Sequence, residues 1–142
     1  MTGPGQDQDP AHARIQTIAT SDDVVRARQL ARNLAVDCAL SLVDQTKLVT
    51  AASELARNTL SYGGGGTMSA LLVDRGGRRG VQLSFSDEGP GIPDLDLALR
   101  DGWSSGSGMG LGLSGARRLV DEFALRTIVD EGTTVTVVKW AR

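Results

Sequence analysis

The stretch MSALLVDRGGRRGVQLSFS, residues 68–86, decides the fold class of this sequence. Its two ends, residues 68–73 and 80–86, are rich in Leu and Val and predict two β-strands. The six residues between them include the adjacent glycines Gly76 and Gly77, which are typical of a tight connection. Because strands joined by a hairpin pair in antiparallel fashion, this stretch predicts an antiparallel sheet.

Two segments before the hairpin have the apolar spacing of amphipathic helices. Ser21 is predicted as the N-cap of the first helix, because Asp22 and Asp23 follow it and carboxylates favour a helix N-terminus. The second helix is expected to end at Ser61 and Tyr62, because residues 63–66 are all glycine. The apolar positions are Val24, Ala27, Ala31, Leu34 and Cys38 in the first helix, and Leu48, Val49, Ala52, Leu55, Ala56 and Thr59 in the second.

The remaining elements complete an α/β pattern. Residues 14–19 predict a first strand, residues 110–123 a third helix, and residues 125–129 and 133–139 a second hairpin that turns at Glu131 and Gly132. We therefore expect a two-layer α/β sandwich, in which a mixed, mostly antiparallel sheet carries its helices on one face.

Length and composition limit the possible functions. A chain of 142 residues forms one domain, predicted at residues 14–142 after a disordered tail at residues 1–13. A net charge of -2 argues against a nucleic-acid partner, and no apolar run approaches the roughly 20 residues that span a bilayer. The single cysteine, Cys38, fits a reducing compartment such as the cytoplasm, and the single histidine, His12, leaves no zinc cluster.

Glycine is concentrated where the chain has to approach something closely. The densest run, Gly106-Ser107-Gly108-Met109-Gly110-Leu111-Gly112, leads into the predicted third helix, and free backbone N–H groups at a helix N-terminus bind phosphate. A mobile loop before a helix is the plain alternative. A dinucleotide fingerprint also matches the glycines at 110, 112 and 115, but residues 101–107 are too polar for the buried strand that it needs.

Two further positions carry polar groups suited to a nucleotide. Asp87 follows a predicted strand and precedes Gly89 and Gly91, so its carboxylate could accept a hydrogen bond from an adenine amino group. Glu54 and Asn58 are four residues apart and lie on one side of the second helix, where they could serve as hard ligands for Mg²⁺ or as a general base. A plain turn and a solvated helix surface are the respective alternatives.

Taken in order, four segments resemble the nucleotide motifs of the GHKL superfamily, which has the Bergerat ATP-binding fold. Its small anti-sigma and switch-protein serine/threonine kinases, in particular the RsbT-like branch, are the most similar. The four segments are Glu54-Leu55-Ala56-Arg57-Asn58, Asp87-Glu88-Gly89-Pro90-Gly91, Gly108-Met109-Gly110-Leu111-Gly112 and Gly132-Thr133.

The resemblance implies a role for each motif. It implies that Glu54 is the general base, that Asn58 coordinates Mg²⁺, that Asp87 binds the adenine amino group and that Thr133 supports Asp87, directly or through water. Residues 92–107 would form the ATP lid. The base pocket would be shaped by Gly89 and Gly91, and the ATP phosphates would be held by Gly108, Met109, Gly110, Leu111 and Gly112.

The implied activity is ATP-dependent phosphorylation of a Ser or Thr on a small antagonist protein, within a bacterial partner-switching pathway that controls a stress response or sigma factor. The alternative is an ATP-binding docking module that activates a phosphatase or sequesters a sigma factor. A histidine kinase is less compatible, because the sequence has no room for a dimerisation helix pair. A gyrase- or chaperone-like hydrolase would use additional domains.

Overall fold

The computed structural model describes residues 12–94, residue 99 and residues 111–142 of the protein. The elements follow the predicted order of one strand, two helices, a hairpin, a helix and a second hairpin. They are β1 (Arg14–Ile18), α1 (Ser21–Asp37), α2 (Leu42–Ser61), β2 (Gly66–Arg75), β3 (Arg78–Asp87), α3 (Leu111–Leu119), β4 (Glu122–Ile128) and β5 (Gly132–Trp140).

The described strands form one five-stranded sheet in the order β1-β2-β3-β5-β4. Every neighbouring pair is antiparallel, including the two predicted hairpins β2–β3 and β4–β5. The second hairpin pairs with the first through β5, which lies next to β3, so that β3 is the central strand of the sheet. In the β3–β5 register Asp87 is opposite Thr133, which brings two predicted site residues together.

The helices pack on one face of the sheet, as predicted. Alternate residues of the central strands point to this face, because successive side chains of a strand alternate between its two sides. The main core combines these side chains with the apolar faces of α1 and α2. Its strand members include Met68, Ala70, Val81, Leu83, Phe85, Val135 and Val137, and its helix members include Ala27, Ala31, Leu34, Leu48, Ala52, Leu55 and Leu113.

The opposite face of the sheet carries a small second cluster around Trp140, which is formed with Leu71, Val73 and Val138. Two guanidinium groups lie over the indole ring, that of Arg75 at 4.9 Å and that of Arg78 at 5.0 Å from its centroid. Ala13 packs against this cluster. The rest of the predicted tail lies outside the described residues except for His12, so its disorder stays a prediction. No described helix combines the length and the apolar character needed to cross a membrane.

A partly buried ion cluster fixes the start of α2 to the end of the sheet. The Lys139 side chain is only 5% exposed, and its Nζ lies 3.4 Å from Asp44 Oδ1 and 3.5 Å from Asp121 Oδ1. Arg142 contacts the same two carboxylates. Because a buried ammonium group is costly without partners, this cluster fixes where α2 begins relative to β5.

Thr20, and not the predicted Ser21, is the N-cap of α1. Its hydroxyl accepts a hydrogen bond from the Asp23 backbone N–H at 3.3 Å, and Asp23 Oδ2 accepts one from the Thr20 N–H at 3.1 Å. Placing the cap at Ser21 missed this reciprocal pair, which needs an acceptor three residues after the cap.

Helix α3 ends at Leu119, four residues before the predicted end at Phe123. The chain joins the sheet instead, because the Asp121 N–H donates to Val138 O at 2.9 Å and Phe123 pairs with Val137 in the β4–β5 ladder. The apolar spacing from Leu119 to Phe123 suits both a helix and a strand, and the sheet provided the hydrogen-bond partners.

Candidate functional site

Helix α2 presents Glu54 and Asn58 on the side that faces α3. The Glu54 side chain is 37% exposed, and its Oε1 accepts a hydrogen bond from Arg57 at 3.0 Å. Asn58 differs, because its Nδ2 atom is buried and has no hydrogen-bond partner among the described residues. A buried amide without a partner costs free energy, so the Asn58 side chain marks a position built for something other than folding.

The first turn of α3 lies directly against this pair. A Cβ atom added at Gly112 would be 2.8 Å from Glu54 Cβ and 3.4 Å from Asn58 Nδ2, so only glycine allows this approach. Leu111 is the first residue of α3. Three other residues of the predicted phosphate loop, Gly108, Met109 and Gly110, lie outside the described residues.

Asp87 stands at the last position of β3, as predicted from the strand that precedes it. Its Oδ1 accepts two backbone hydrogen bonds, one from the Gly89 N–H at 2.9 Å and one from the Thr133 N–H at 3.3 Å. Thr133 therefore contacts Asp87 through its backbone, whereas its hydroxyl lies 2.9 Å from Thr127 Oγ1. These bonds fix the orientation of the carboxylate.

The turn after Asp87 depends on a glycine. Gly91 has φ of +77°, and a Cβ atom there would lie 2.5 Å from Ile128 O, so the left-handed backbone and the close approach both require glycine. The Tyr62 hydroxyl donates to Gly91 O, and the Asp130 N–H donates to Pro90 O at 2.8 Å. The turn is thus attached to both α2 and the β4–β5 connection.

One cavity joins the polar residues from α2, β3 and β5. Three predicted site residues, Asn58, Asp87 and Thr133, line it together. Gly112 lies against Glu54 and Asn58, but neither Gly112 nor Glu54 lines the cavity. Gly89 and Gly91 belong to the turn that follows Asp87. The other described lining residues are Leu55, Thr59, Tyr62, Phe85, Ile92, Leu113 and Val135.

Sequence reasoning assigned most of these additional residues to the core or to no role. Leu55 and Phe85 are indeed buried, but one side of each faces the cavity. The available signal was position, since Leu55 lies three residues before Asn58 and Tyr62 four residues after it, and a helix places residues three or four apart on one face. An apolar core position beside a polar site therefore predicts a pocket wall.

The lining of this cavity combines a few polar groups with apolar side chains. The carboxylate of Asp87 and the amide of Asn58 line it together with apolar side chains such as Phe85, Ile92 and Leu113. Small-molecule sites have this composition, in which apolar walls take the ring and a few polar groups fix its orientation. The N-terminus of α3 lies next to Asn58, where the positive end of the helix dipole favours phosphate.

Comparison with known proteins agrees with this geometry. Residues 43–141 match the family described as histidine kinase-, DNA gyrase B-, and HSP90-like ATPase. This protein belongs to that family. The match covers more than half of the chain and includes every described residue of the cavity. The resemblance to the GHKL superfamily is thereby confirmed.

Two related proteins match different shares of this chain. The serine/threonine-protein kinase RsbT of Bacillus subtilis (strain 168) is 44% identical over 125 residues, which cover 88% of this chain and 94% of that protein. The adaptive-response sensory kinase SasA of Synechococcus sp. (strain CC9311) is 36% identical over 86 residues, which cover 55% of this chain and 22% of that protein.

A solved structure confirms the fold. The crystal structure of the RsbU and RsbW domains of Rv1364c from Mycobacterium tuberculosis aligns with a TM-score of 0.63 over 92% of this chain and 33% of that one. At 21% sequence identity this likeness concerns the fold alone. The predicted two-layer α/β sandwich with the Bergerat fold is confirmed.

Proposed function

We infer that the protein is an ATP-dependent serine/threonine kinase of a bacterial partner-switching pathway, and that it phosphorylates a small antagonist protein. The observation that carries this function is the shared cavity of Asn58 and Asp87, with the start of α3 in contact with Glu54. A nearly full-length relative with 44% identity is a serine/threonine kinase, which supports the same reaction.

The base of ATP is proposed to bind at Asp87. Because Oδ1 of Asp87 already accepts two backbone N–H groups, Oδ2 is the oxygen left to accept the adenine amino group. Apolar residues of the cavity, such as Phe85 and Ile92, would then contact the ring. The fixed orientation of Asp87 reduces the entropy lost when the base binds.

Mg²⁺ is proposed to bind beside Asn58. The fit rests on the buried amide, since Asn58 Nδ2 has no partner among the described residues, and a half-turn of the amide group would present its oxygen at the same place. An amide oxygen is a suitable hard ligand, and Mg²⁺ in nucleotide sites takes its remaining ligands from phosphates and water. When bound, the ion would neutralise charge on the phosphates.

The transfer step is proposed to use Glu54 as the base. Glu54 keeps one carboxylate oxygen on Arg57, while its Oε2 faces Gly112, with 3.0 Å between Oε2 and a Cβ atom added at that glycine. A carboxylate at this position can accept the proton of a Ser or Thr hydroxyl while the hydroxyl oxygen bonds to the γ-phosphorus, the bond from that phosphorus to the β–γ bridging oxygen breaks and ADP leaves. Backbone N–H groups at the start of α3 would hold the phosphate oxygens.

The acceptor protein is proposed to reach Glu54 from the exposed side of α2. Val43, Lys47 and Thr50 lie 11, 7 and 4 residues before Glu54, which places them on the same side of the helix, and all three are exposed. Arg57 extends this surface beyond Glu54. Arg57 is paired with Glu54, so Lys47 is the cation of this surface that remains for an acidic group of the partner. A phosphatase or a sigma factor is proposed as a second class of partner. The reaction is proposed to take place in the cytoplasm.

The test uses the protein, ATP with Mg²⁺ and the antagonist recovered from the native organism by affinity capture. Replacement Glu54→Gln should lower phosphate transfer about 10² to 10⁴-fold, the usual contribution of a general base, while ADP binding stays within about twofold. The matched control is Glu131→Gln, which removes an exposed carboxylate in the β4–β5 turn and should leave transfer unchanged.

Three results would contradict parts of this proposal. Transfer by Glu54→Gln at the wild-type rate would remove Glu54 from the reaction. Absence of ATP and ADP binding by the wild-type protein in calorimetry would remove the nucleotide site itself. Full control of the partner by Glu54→Gln, despite lost transfer, would make docking the main output.

A further inference from the structure

Thr127 on β4 is adjacent to the proposed base site but does not line the cavity. Its hydroxyl oxygen accepts a hydrogen bond from the Ile92 backbone N–H at 2.8 Å and lies 2.9 Å from Thr133 Oγ1. A longer contact of 3.4 Å joins it to Gly132 O. One side chain thus connects two separate segments that do line the cavity.

Both segments have a direct part in the proposed base site. Ile92 is 6% exposed and follows the turn that begins at Asp87, and its side chain forms a wall of the cavity. Thr133 is 8% exposed, and its N–H donates to the Asp87 carboxylate. Thr127 lies between them, where it holds the turn after Asp87 to the strand that supports Asp87.

The hydroxyl groups of Thr127 and Thr133 are coupled, because each has a limited number of hydrogen bonds to make. A threonine hydroxyl has one proton and two acceptor positions. At Thr127 one acceptor position is used by the Ile92 N–H. If Thr127 donates to Thr133, the Thr133 proton is free to point into the cavity. If Thr127 donates to Gly132 O instead, the Thr127 hydroxyl oxygen accepts a hydrogen bond from the Thr133 hydroxyl. The polarity that Thr133 presents to a base therefore depends on Thr127.

We propose that Thr127 is a positioning residue that sets the base selectivity of the nucleotide site, acting through Thr133 and Ile92. This inference rests on the proposed ATP-binding function. Adenine presents an amino donor beside a ring acceptor, whereas guanine presents a carbonyl acceptor beside a ring donor. Asp87 can pair only with a donor, so the group that Thr133 presents next to it decides how well each base fits.

The first experiment removes the Thr127 hydroxyl without changing the side-chain shape. For Thr127→Val we expect the dissociation constant of ADP with Mg²⁺ to rise about tenfold, and the ratio of GDP to ADP dissociation constants to fall, because an unpaired N–H and a freed hydroxyl disturb the base site. Thr127→Ser keeps the hydroxyl and should stay within about twofold of wild type for both nucleotides.

The matched control is Thr136→Val. It removes a hydroxyl from a similar cross-strand pair on the opposite face of the sheet, where Thr136 Oγ1 lies 3.0 Å from Ser84 Oγ. Both dissociation constants should be unchanged. A Thr127→Val protein that binds ADP as tightly and as selectively as wild type would overturn the inference, as would an equal loss in Thr127→Ser or Thr136→Val.

A second measurement uses the wild-type protein and does not depend on the folding of a variant. Addition of ADP should slow hydrogen exchange of the Ile92 amide about tenfold or more, because the base would rest against the segment that this bond holds. The Gly77 amide, bonded to Asp74 in the β2–β3 turn, is the reference and should not change. Unchanged exchange at Ile92 in protein that binds ADP overturns the inference, whereas failure of wild type to bind ADP overturns the proposed function.

Discussion

Gly112 and Glu54 are in such close contact that a methyl group on Gly112 would lie 2.8 Å from Glu54 Cβ. The contact fixes the first turn of α3 against the middle of α2, so the proposed phosphate-binding end of one helix and the proposed base on the other form one rigid unit. Catalysis by positioning needs such a unit, because misplacement by about 1 Å can cost 10²-fold in rate.

Replacement Gly112→Ala should therefore separate the two helices. Because the added Cβ would meet Glu54 Cβ and lie 3.0 Å from Oε2, α3 has to move away from α2. We expect the dissociation constant for ATP to rise at least about tenfold and stability to fall by about 1 to 3 kcal/mol, the usual cost of overpacking. Calorimetry with ATP and thermal unfolding of the same protein measure the two effects.

Gly115 provides the control within the same helix. A Cβ atom there meets no described residue within 4 Å, and alanine is the better helix former by up to about 1 kcal/mol. Gly115→Ala should bind ATP as wild type does and melt at the same or a higher temperature. Equal losses in both variants would mean that helix composition, and not contact with Glu54, is responsible.

Asn58→Ala should separate function from stability. The side chain contributes a buried Nδ2 without a partner among the described residues, so its removal relieves a penalty that offsets the lost packing. We expect the free energy of unfolding without nucleotide to change by less than about 1 kcal/mol, while phosphate transfer falls about 10² to 10³-fold. Urea unfolding and a transfer assay would measure these, and a large loss of stability with intact transfer would contradict the proposed role.

Asp87→Asn tests base recognition with little change in shape. The amide oxygen can take the place of Oδ1 and keep the hydrogen bonds from Gly89 and Thr133, so the fold should be retained. The amide NH₂ replaces the free oxygen and opposes the adenine amino group. We expect ADP affinity to fall about 10²-fold or more, measured by calorimetry, since a mismatched buried polar group is costly. Tight ADP binding by Asp87→Asn would remove Asp87 from the base site.

Much of the fold could be predicted from local patterns. Hairpin residues such as Gly76 and Gly77 identified antiparallel strands, and the regular spacing of Val24, Ala27 and Ala31 identified α1. The end of α3 could not be predicted in this way, because Phe123 fits either spacing and its place in β4 depends on pairing with Val137 of β5. Long-range pairing is not encoded in a local window.

The candidate site also has a part that local sequence patterns predict and a part that they do not. The family resemblance identified Asn58 and Asp87 from short motifs, and the predicted strands β3 and β5 pair in the register that places Asp87 opposite Thr133. The part of Thr127 could not be predicted, because a threonine in a strand has no local signal and its contact with Ile92 spans 35 positions. The roles of all these residues stay predictions until the variants are measured.

The Asp121 carboxylate makes stability depend on pH. Burial raises its pKa, but the hydrogen bond from the Trp140 N–H at 2.8 Å and the charges of Lys139 and Arg142 outweigh burial, so the pKa lies below its ordinary value of 3.8. A carboxyl whose pKa is lower in the folded state stabilises the protein above the pKa of the unfolded chain, and this contribution is lost as the pH falls through the folded value.

Asp121→Asn should therefore destabilise the protein at neutral pH and less so in acid. An asparagine oxygen can keep the Trp140 hydrogen bond, but the attraction to Lys139 and Arg142 is lost, and we expect a loss of about 1 to 3 kcal/mol at pH 7. Below about pH 4 the difference from wild type should begin to shrink, because the carboxyl of Asp121 is protonated first in the unfolded chain and then, at lower pH, in the folded protein. Urea unfolding between pH 3 and pH 7 measures the free energy of unfolding of both proteins.

The control is Asp37→Asn, at the exposed end of α1, whose stability should follow that of wild type across this range. A constant difference between Asp121→Asn and wild type would show that packing and not charge is the cause.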